Sequence, residues 1–246
     1  TQLPLAEPWI RLRTCACEYQ DLADLATAEK NRVHAFLETV FPAYYEVFVD
    51  PFRPSSMALL RSLSGAQELD KTGFIAYVRQ HFRGRKLQVK RCLSAWQLVR
   101  SGTPWGYVEA RAALFERIAA ATQRLDLFLK QQADVEKRLL GLYRSIPLAR
   151  YLDSIPGSSP LTNAITLGVL GDPRAFDDAR ALVSLAGLNP GERSSGEWQG
   201  KAHITKAGRA RLRRASTTAA MTILKSGRNH DFTRRFFTSS GVRSDR

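Results

Sequence analysis

Hydrophobic side chains recur every three or four residues along most of the chain, which is the spacing of one buried face on an α-helix. The first such stripe runs from Trp9 to Val40, and Pro42 ends it. Charged residues, Glu29 among them, fall mostly off the stripe. The pattern predicts one long amphipathic helix with an apolar face. That face consists of Leu12, Cys15, Tyr19, Leu22, Ala26, Val33, Phe36 and Val40.

The longest periodic run extends from Tyr107 to about Arg144. Its apolar positions alternate steps of three and four, as in a heptad repeat. The run predicts a coiled-coil-like helix over 107–144 that packs against a partner helix, either in the same chain or in another subunit. Gln132 interrupts the seam, and an ordinary intramolecular helical hairpin explains the pattern at least as well. The seam consists of Leu114, Ile118, Ala121, Leu125, Phe128, Gln132, Val135, Leu139 and Leu142.

Shorter helices are predicted between these two, over 55–63, 70–82 and 87–99, and Asp70 is placed to cap the second of them. Alternation with a period of two residues never extends beyond a few positions, so the predicted fold class is mainly α. The breaker pair Ile146-Pro147 sets a predicted domain boundary. We therefore expect a helical linker over 1–146 and a small helical domain over 147–246.

The second domain begins with a short helix, a Pro-Gly turn and another helix, which predicts a helix-hairpin-helix over 151–171. Backbone N–H groups of such a turn bind a phosphate without reading bases. We expect Gly157 and Ser158 to make this contact, although Ser159 stands where a second glycine is usual. The next helix is predicted to begin at Asp172-Pro173 and to end at Gly187. Its inward side chains are predicted to be Phe176, Ala179, Leu182 and Val183.

Charge is concentrated near the C-terminal end of the 246-residue chain, whose net charge is +14. Residues 191–246 hold 13 Lys and Arg against 4 Asp and Glu, whereas the first 190 hold 24 against 19. This asymmetry favours a nucleic-acid partner. The sequence has no apolar run near eighteen residues and no signal peptide, and its histidines lack metal-ligand spacing. Three cysteines without a C-x-x-C motif fit a reduced, cytoplasmic setting and no metal site.

The segment 194–226 carries the candidate chemistry. It begins with Ser194 and Ser195 beside a glycine, and Gly208 then leads into a basic helix. Transfer of a phosphodiester needs a nucleophilic oxygen and cations that hold the phosphate. The alternative is a surface loop followed by a solvated basic helix, with the serines serving as turn residues. The cations predicted to contact nucleic acid are Lys201, Lys206, Arg209, Arg213 and Arg214.

Helical spacing divides that basic helix into two faces. Leu212, Ala215, Ala219 and Ile223 recur every three or four residues, which predicts a buried face. Arg209, Arg213 and Thr217 fall on another face, where we expect them to be free to meet an anion.

Several short segments recur in the order known from one family: LDSIPG, LTNA, AGLNP, SG, KAG and LRR at 152–157, 161–164, 186–190, 195–196, 206–208 and 212–214. Together they resemble the C-terminal domain of the insertion-sequence one-ten family, the DEDD-type, bridge-RNA-guided transposases. Upstream, KNRVHAFL at 30–37 is similar to the start of that family's helical linker. The resemblance implies a DNA strand-cleaving and strand-transferring recombinase with Ser195 as the nucleophile, through a phosphoserine-linked intermediate. Ser194 is the less favoured alternative.

The resemblance also implies partners and a cofactor. Members of the family carry an N-terminal RuvC-like domain whose acidic residues bind Mg²⁺, and they assemble from several subunits with a structured guide RNA. We find no RuvC-like segment in the 246 residues, and we therefore expect this chain alone to bind no Mg²⁺ and to be inactive in recombination. The expected partners are DNA, guide RNA and further copies of the chain, at the nucleoid of a bacterial cell. A non-catalytic nucleic-acid-binding module, or the remnant of a decayed transposase, is the alternative.

Overall fold

The computed structural model describes residues 7–42, 44–66, 70–81, 90, 92–94, 96–97, 108–191, 194–195, 198–199 and 203–226. Within these residues the chain is mainly helical, which confirms the predicted fold class. The helices are α1 Glu7–Val40, α2 Tyr44–Val47, α3 Pro54–Ala66, α4 Lys71–His81, α5 Val108–Arg144, α6 Ala149–Asp153, α7 Pro160–Leu170, α8 Ala179–Ala186 and α9 Ala210–Lys225. The predicted helix over 87–99 lies largely outside the described residues.

Within the part of the chain that the structure describes, four two-residue strands form two antiparallel pairs. Strand β1, Pro190–Gly191, pairs with β4, His203–Ile204. Strand β2, Ser194–Ser195, pairs with β3, Trp198–Gln199. In chain order, β2 and β3 therefore lie between β1 and β4. We call these two strand pairs the hairpin, and the β1–β4 pair its base.

The chain divides into two compact units, one formed by Thr1–Asp21 with Ala133–Arg246 and the other by Leu22–Gln132. Both divisions fall inside long helices, α1 and α5, rather than at the breaker pair Ile146-Pro147. The domain boundary that the sequence predicts after residue 146 stays a prediction. The compact unit that holds the C-terminal residues also includes the first turns of α1.

The Leu22–Gln132 unit has an aromatic core, with Phe41, Tyr44, Phe74 and Phe115 almost fully buried. The position of Glu29 differs from the sequence expectation that it would lie off the apolar face. Its side chain is 4% exposed, and both of its carboxylate oxygens accept hydrogen bonds of 3.0 Å from Arg124. Arg32 contacts the same carboxylate. A carboxylate on the buried face is tolerated because these guanidiniums compensate for the hydration it loses.

The unit that contains the C-terminal residues is built on a close approach of α1 and α7. A Cβ atom at Gly168 of α7 would lie 2.7 Å from the Cβ of Ala16 and 3.0 Å from the carbonyl oxygen of Leu12. Glycine therefore lets the two helices touch. Tyr143 and Leu212, from α5 and α9, are also buried in this unit.

The segment 172–187 corrects a prediction, because it is not a single helix. Asp172 caps a 3-10 helix, Pro173–Ala175, and Phe176 then adopts an extended conformation. Asp178 starts α8 afresh by accepting a hydrogen bond of 2.8 Å from the Ala181 N–H. The two helical pieces are out of register, so Ala179 and Val183 are exposed and not inward as expected. The predicted end of α8 at Gly187 is confirmed, since Gly187 adopts a left-handed conformation with φ of 65°.

Candidate nucleic-acid interface

The predicted nucleophile lies on the inner strand pair of the hairpin. In the backbone register, Ser195 is opposite Trp198 and Ser194 is opposite Gln199. Ser195 is thus the last strand residue before the two-residue connection at 196–197, which lies outside the described residues. Ser194 and Ser195, the described part of the Ser-Gly segment, therefore lie in an antiparallel strand pair. The assignment of Ser195 as a catalytic residue stays a prediction.

Backbone hydrogen bonds hold the base of this hairpin against the C-terminal end of α8. The Thr205 N–H donates to the carbonyl of Asn189 over 2.9 Å, and the Lys206 N–H donates to the carbonyl of Gly187 over 3.0 Å. The Arg209 N–H donates to the carbonyl of Leu185 over 2.8 Å. The end of one helix, the base of the hairpin and the start of α9 are therefore joined within a few residues.

Two glycines make this junction possible because they leave space for backbone to touch backbone. A Cβ atom at Gly208 would lie 2.5 Å from the carbonyl oxygen of Leu185 and 2.6 Å from the nitrogen of Gly187. A Cβ at Gly187 would in turn meet the backbone of Lys206 at 2.9 Å. Lys206, whose backbone packs against Gly187, is exposed and has a positive φ of 56°.

Arg213, predicted to contact phosphate, also has a structural role. Its Nη1 lies 3.0 Å from the carbonyl oxygen of Ala186 and 3.4 Å from that of Lys206. The first of these carbonyls belongs to the last turn of α8, where the helix dipole favours a cation. Arg213 therefore binds the end of α8 to the junction. Thr217, expected on the same face, directs its hydroxyl to the carbonyl of Arg213 over 2.9 Å.

The remaining predicted cations differ in their surroundings. Arg209 is the partly buried N-cap residue of α9 and makes no side-chain capping hydrogen bond. Partial burial, and after it the neighbouring charge of Arg13, lowers the pKa of its guanidinium. Arg214 is exposed on α9. Lys201 lies outside the described residues. The structure thus brings Lys206, Arg209 and Arg213 together around the junction at the base of the hairpin.

Arg211 is a structural residue that sequence reasoning missed. Its Nη2 lies 2.6 Å from the Asp21 carboxylate, and its Nη1 donates to the Cys17 carbonyl over 3.0 Å. These contacts hold α9 against α1. The partners are far apart in the chain, so no spacing rule could have paired them.

The turn with Gly157 and Ser158 is fixed from both sides. Gly157 has a φ of 82°, and a Cβ atom there would overlap the side chain of Ser226 at the end of α9. On the other side, the amide of buried Asn163 donates to Ser158 Oγ over 3.1 Å and to Asp153 Oδ1 over 3.0 Å. The hydroxyl of Tyr143 lies 2.8 Å from the same Asp153 oxygen. Neither a helix-hairpin-helix nor its phosphate contact is established by this arrangement, and both stay predictions.

The Tyr143 hydroxyl belongs to the buried part of this network. Burial, followed by the acceptor Asp153, raises its pKa well above the usual range of a phenol. Tyr143 is therefore a neutral donor, which suits a structural role. This network was missed by sequence reasoning, since its members come from α5, α6 and α7 without a recognisable motif.

Among the described residues, no group of three or more His, Cys, Asp or Glu side chains could hold a metal ion. Asp172 binds Arg174, and Asp178 caps α8. All three cysteines are free, and burial raises the pKa of Cys92 to about 11. A search of the described helices finds none with the length and apolar character needed to cross a bilayer.

Comparison with known proteins finds similarity to the transposases of insertion elements. Residues 149–234 match the family model described as "Transposase IS116/IS110/IS902 family". The matched range includes the turn at Gly157, the junction, the hairpin and all of α9. The match and the relatives described next support the chain's relation to transposases of this family.

Two relatives are proteins of insertion elements. The chain is 25% identical over 224 residues to the 43.6 kDa protein of insertion element IS110 from Streptomyces coelicolor, which covers 84% of the chain and 51% of that protein. It is 22% identical over 203 residues to the 44.8 kDa protein of insertion element IS116 from Streptomyces clavuligerus, covering 82% of the chain and 51% of that protein. The chain thus spans about half the length of these curated relatives.

A third relative covers a shorter part of the chain. A mini-circle protein of IS117 from Streptomyces coelicolor, named as a transposase, is 36% identical over 85 residues. This similarity covers 34% of the chain and 20% of that protein.

Proposed function

We propose that this chain is the part of an insertion-sequence transposase that supplies the serine for DNA strand cleavage and transfer. Ser195 Oγ attacks a backbone phosphorus, a serine–phosphorus ester forms, and the bond from phosphorus to the neighbouring deoxyribose oxygen breaks. The serine proton passes to solvent, and the released sugar oxygen takes up a proton. The cations Lys201, Lys206, Arg209, Arg213 and Arg214 hold the phosphate and stabilise the negative charge that develops on it.

One observation carries this proposal: the junction at the base of the hairpin. Three backbone hydrogen bonds and the Gly187–Gly208 contact fix the start of the Ser195 hairpin directly beside the N-terminal turn of the arginine-rich α9. A serine that must meet a phosphate held by arginines needs such a rigid support, because catalytic groups lose much of their effect when misplaced by about 1 Å. The matched family model covers the same residues.

Mg²⁺, guide RNA and further subunits enter the proposal through the resemblance to the family. The steps proposed above are those of this chain's own side chains. We infer that strand transfer also uses the family's acidic Mg²⁺ site and a guide RNA, and the experiment below provides both with an intact relative.

Covalent trapping tests the role of Ser195. The chain is mixed with an intact relative, its guide RNA and a labelled DNA target, and denaturing gels are used to detect DNA linked to this chain by size. We expect linkage with the wild type and with Ser194→Ala, but none with Ser195→Ala. Ser194 is a matched control because it lies on the same strand, one residue earlier. Linkage that disappears with Ser194→Ala instead would assign the nucleophile to Ser194, and linkage that survives in both variants would refute a serine mechanism.

A non-catalytic nucleic-acid-binding module is the second candidate, favoured by the exposure of Lys206 and Arg214. It predicts DNA binding that weakens steeply with salt, at about 0.9 units of log–log slope per phosphate contact. Arg214→Ala would then lower the affinity for every DNA sequence to a similar degree. Under this candidate, Ser195→Ala would leave binding unchanged and no covalent linkage would form with either serine present.

A further inference from the structure

A surface pocket lies between α8 and the start of α9, next to the base of the hairpin. Its volume is about 580 Å³, and its lining comes from the segment before α8, from α8 itself and from the junction. The first part contributes Phe176, the second Ser184 and Leu185, and the third Gly208 and Arg209. Pockets of this size hold small organic ligands, and a single nucleotide unit is small enough to enter.

Backbone contacts fix two walls of the pocket against each other. The Arg209 N–H donates to the carbonyl of Leu185 over 2.8 Å. A Cβ atom at Gly208 would lie 2.5 Å from the same carbonyl oxygen, so the two backbones touch at this point. Because these contacts join backbone atoms, the walls are preorganised, and little conformational entropy is lost when a ligand enters.

The walls of the pocket are mainly apolar and include an aromatic ring. Phe176 is partly buried, and it lies at the extended residue that interrupts the helical pieces of 172–187. Ala181 and Leu185 add apolar surface from one side of α8. A flat apolar ligand that covers the exposed part of the ring removes that surface from water. Exposed Ser184 provides a hydroxyl that can donate or accept a hydrogen bond at the edge of such a ligand.

Cations lie at and beside the rim of the pocket. Arg209 is part of the lining. The Nη1 of Arg213 lies 3.0 Å from the carbonyl oxygen of Ala186 and 3.4 Å from that of Lys206. Each of these two carbonyls belongs to a residue that directly precedes or follows a lining residue in the chain. A ligand that matches these surroundings combines a planar ring system with a negative charge, and a nucleotide unit has both.

We propose that this pocket takes one unpaired base of the DNA strand, stacked on Phe176 with its edge hydrogen-bonded to Ser184. The base must be unpaired, because in a duplex its faces are covered by the neighbouring bases. The inference rests on the proposed function, in which the cations of this region hold the DNA phosphates. It adds to those phosphate contacts a contact with a base.

DNA duplexes with and without an unpaired base test the pocket. A labelled, fully paired duplex is compared with the same duplex carrying one extra, unpaired adenine, and with a third that carries an abasic nucleotide at that position. Fluorescence anisotropy gives the affinity of the full chain for each. We expect the unpaired adenine to strengthen binding roughly tenfold through stacking on the aromatic ring. The abasic nucleotide should give no such gain, and an equal gain from it would overturn the inference.

Variants that fill the pocket should lose the preference for the unpaired base. Ala181→Phe places a ring in the pocket, and Ser184→Phe does so from an exposed position. Ala179→Phe is the matched control, because Ala179 is exposed on the same helix and lies outside the pocket lining. The control should keep the roughly tenfold preference, whereas the two filled variants should bind both duplexes equally. A preference that survives in a filled variant, shown by circular dichroism to be folded, would overturn the inference.

A photochemical readout uses the wild-type chain and so does not depend on any variant. The unpaired adenine is replaced by 5-iodouracil, which on irradiation becomes linked to an aromatic side chain in contact with it. Mass spectrometry of the digested product should find the DNA on the peptide that contains Phe176. Cross-links confined to other parts of the chain would refute stacking in this pocket.

The outcomes separate the pocket from the function on which it rests. DNA binding without a preference for the unpaired base refutes the pocket and leaves the proposed function standing. A preference that depends on the pocket, with no covalent linkage through Ser195 or Ser194, supports the pocket and refutes the catalytic proposal. The same duplexes are also made of RNA, and tighter binding of the unpaired base in RNA would overturn DNA as the occupant. Absence of binding to any duplex refutes both proposals.

Discussion

The two ends of α9 are each held by a glycine turn, but the atoms that meet the glycine differ. At the N-terminal end, Gly208 faces the backbone of Leu185 and Gly187. At the C-terminal end, Gly157 faces mainly the side chain of Ser226. Backbone that is already hydrogen-bonded cannot move aside for a methyl group, whereas a small side chain at a helix end can be replaced or shifted. The basic helix is therefore rigidly placed at the hairpin and more adaptable at its other end.

The largest effect is expected at the N-terminal end. Gly208→Ala should lower the free energy of unfolding by about 3 kcal/mol or more, because the new methyl group would displace hydrogen-bonded backbone. Urea denaturation measures the loss. Gly141→Ala is the matched control: nothing lies within 4 Å of its added Cβ in α5. We expect that variant to gain about 0.5–1 kcal/mol through helix propensity. Similar stabilities for the two variants would contradict the close contact at the junction.

A smaller effect is expected at the C-terminal end. Gly157→Ala should cost about 2 kcal/mol, partly from its positive φ and partly from the overlap with Ser226. Adding Ser226→Gly should restore a portion of this loss by removing the overlapping side chain. The residual cost should correspond to the left-handed backbone conformation. If the second substitution restores nothing, the two ends of α9 are held in the same way and the comparison fails.

The side-chain network of Tyr143, Asp153, Asn163 and Ser158 should contribute less to the free energy of unfolding than either glycine contact. Asn163→Ala removes one donor from Ser158 and one from Asp153, which should cost about 1–2 kcal/mol. Ser154→Ala serves as a control within the same turn, since its exposed hydroxyl bonds only to the Tyr151 carbonyl. We expect the control to stay within about 0.5 kcal/mol of the wild type in urea denaturation. Equal losses would show that the buried network does not stabilise the turn.

The smallest effect is expected in the Leu22–Gln132 unit, at the buried carboxylate of Glu29. Hydrogen bonding and charge from Arg124 lower the pKa of Glu29. The stability this carboxylate contributes is complete above its unfolded pKa of about 4.3 and is lost as the pH falls through the folded value. Glu29→Gln should cost about 1 kcal/mol at pH 7, because Arg124 and Arg32 are partly hydrated. Between pH 7 and pH 3, the free energy of unfolding of the Glu29→Gln variant should then fall less than that of the wild type.

The long helices could be predicted from the sequence because their signals are local and repeated. The seam predicted over 107–144 corresponds to α5, in which Ile118, Leu125 and Leu139 are buried. The cap at Asp70 is likewise local: it accepts from the Gly73 N–H over 2.6 Å. A periodic pattern records which side of a helix is apolar, and both long helices have enough turns to make that side evident.

Other features depend on which distant residues meet, and periodicity does not contain that information. Glu29 is buried because Arg124, from another long helix, reaches it. The helix is interrupted at Phe176 because Asp172 and Asp178 each cap a separate helical segment. The spacing of the apolar residues does not show this interruption. At the candidate site, the charge pattern supplied the cations and the family resemblance supplied Ser195, but the second role of Arg213 required the folded chain.

Lys206 occupies a backbone conformation in which a lysine is strained and a glycine would be comfortable. Each folded molecule therefore accepts a local conformational penalty, of the order of 1 kcal/mol, at a position between two glycines. The side chain at this strained position carries an ammonium group that is exposed to solvent. We propose that the strain at Lys206 is tolerated because this ammonium group binds another molecule.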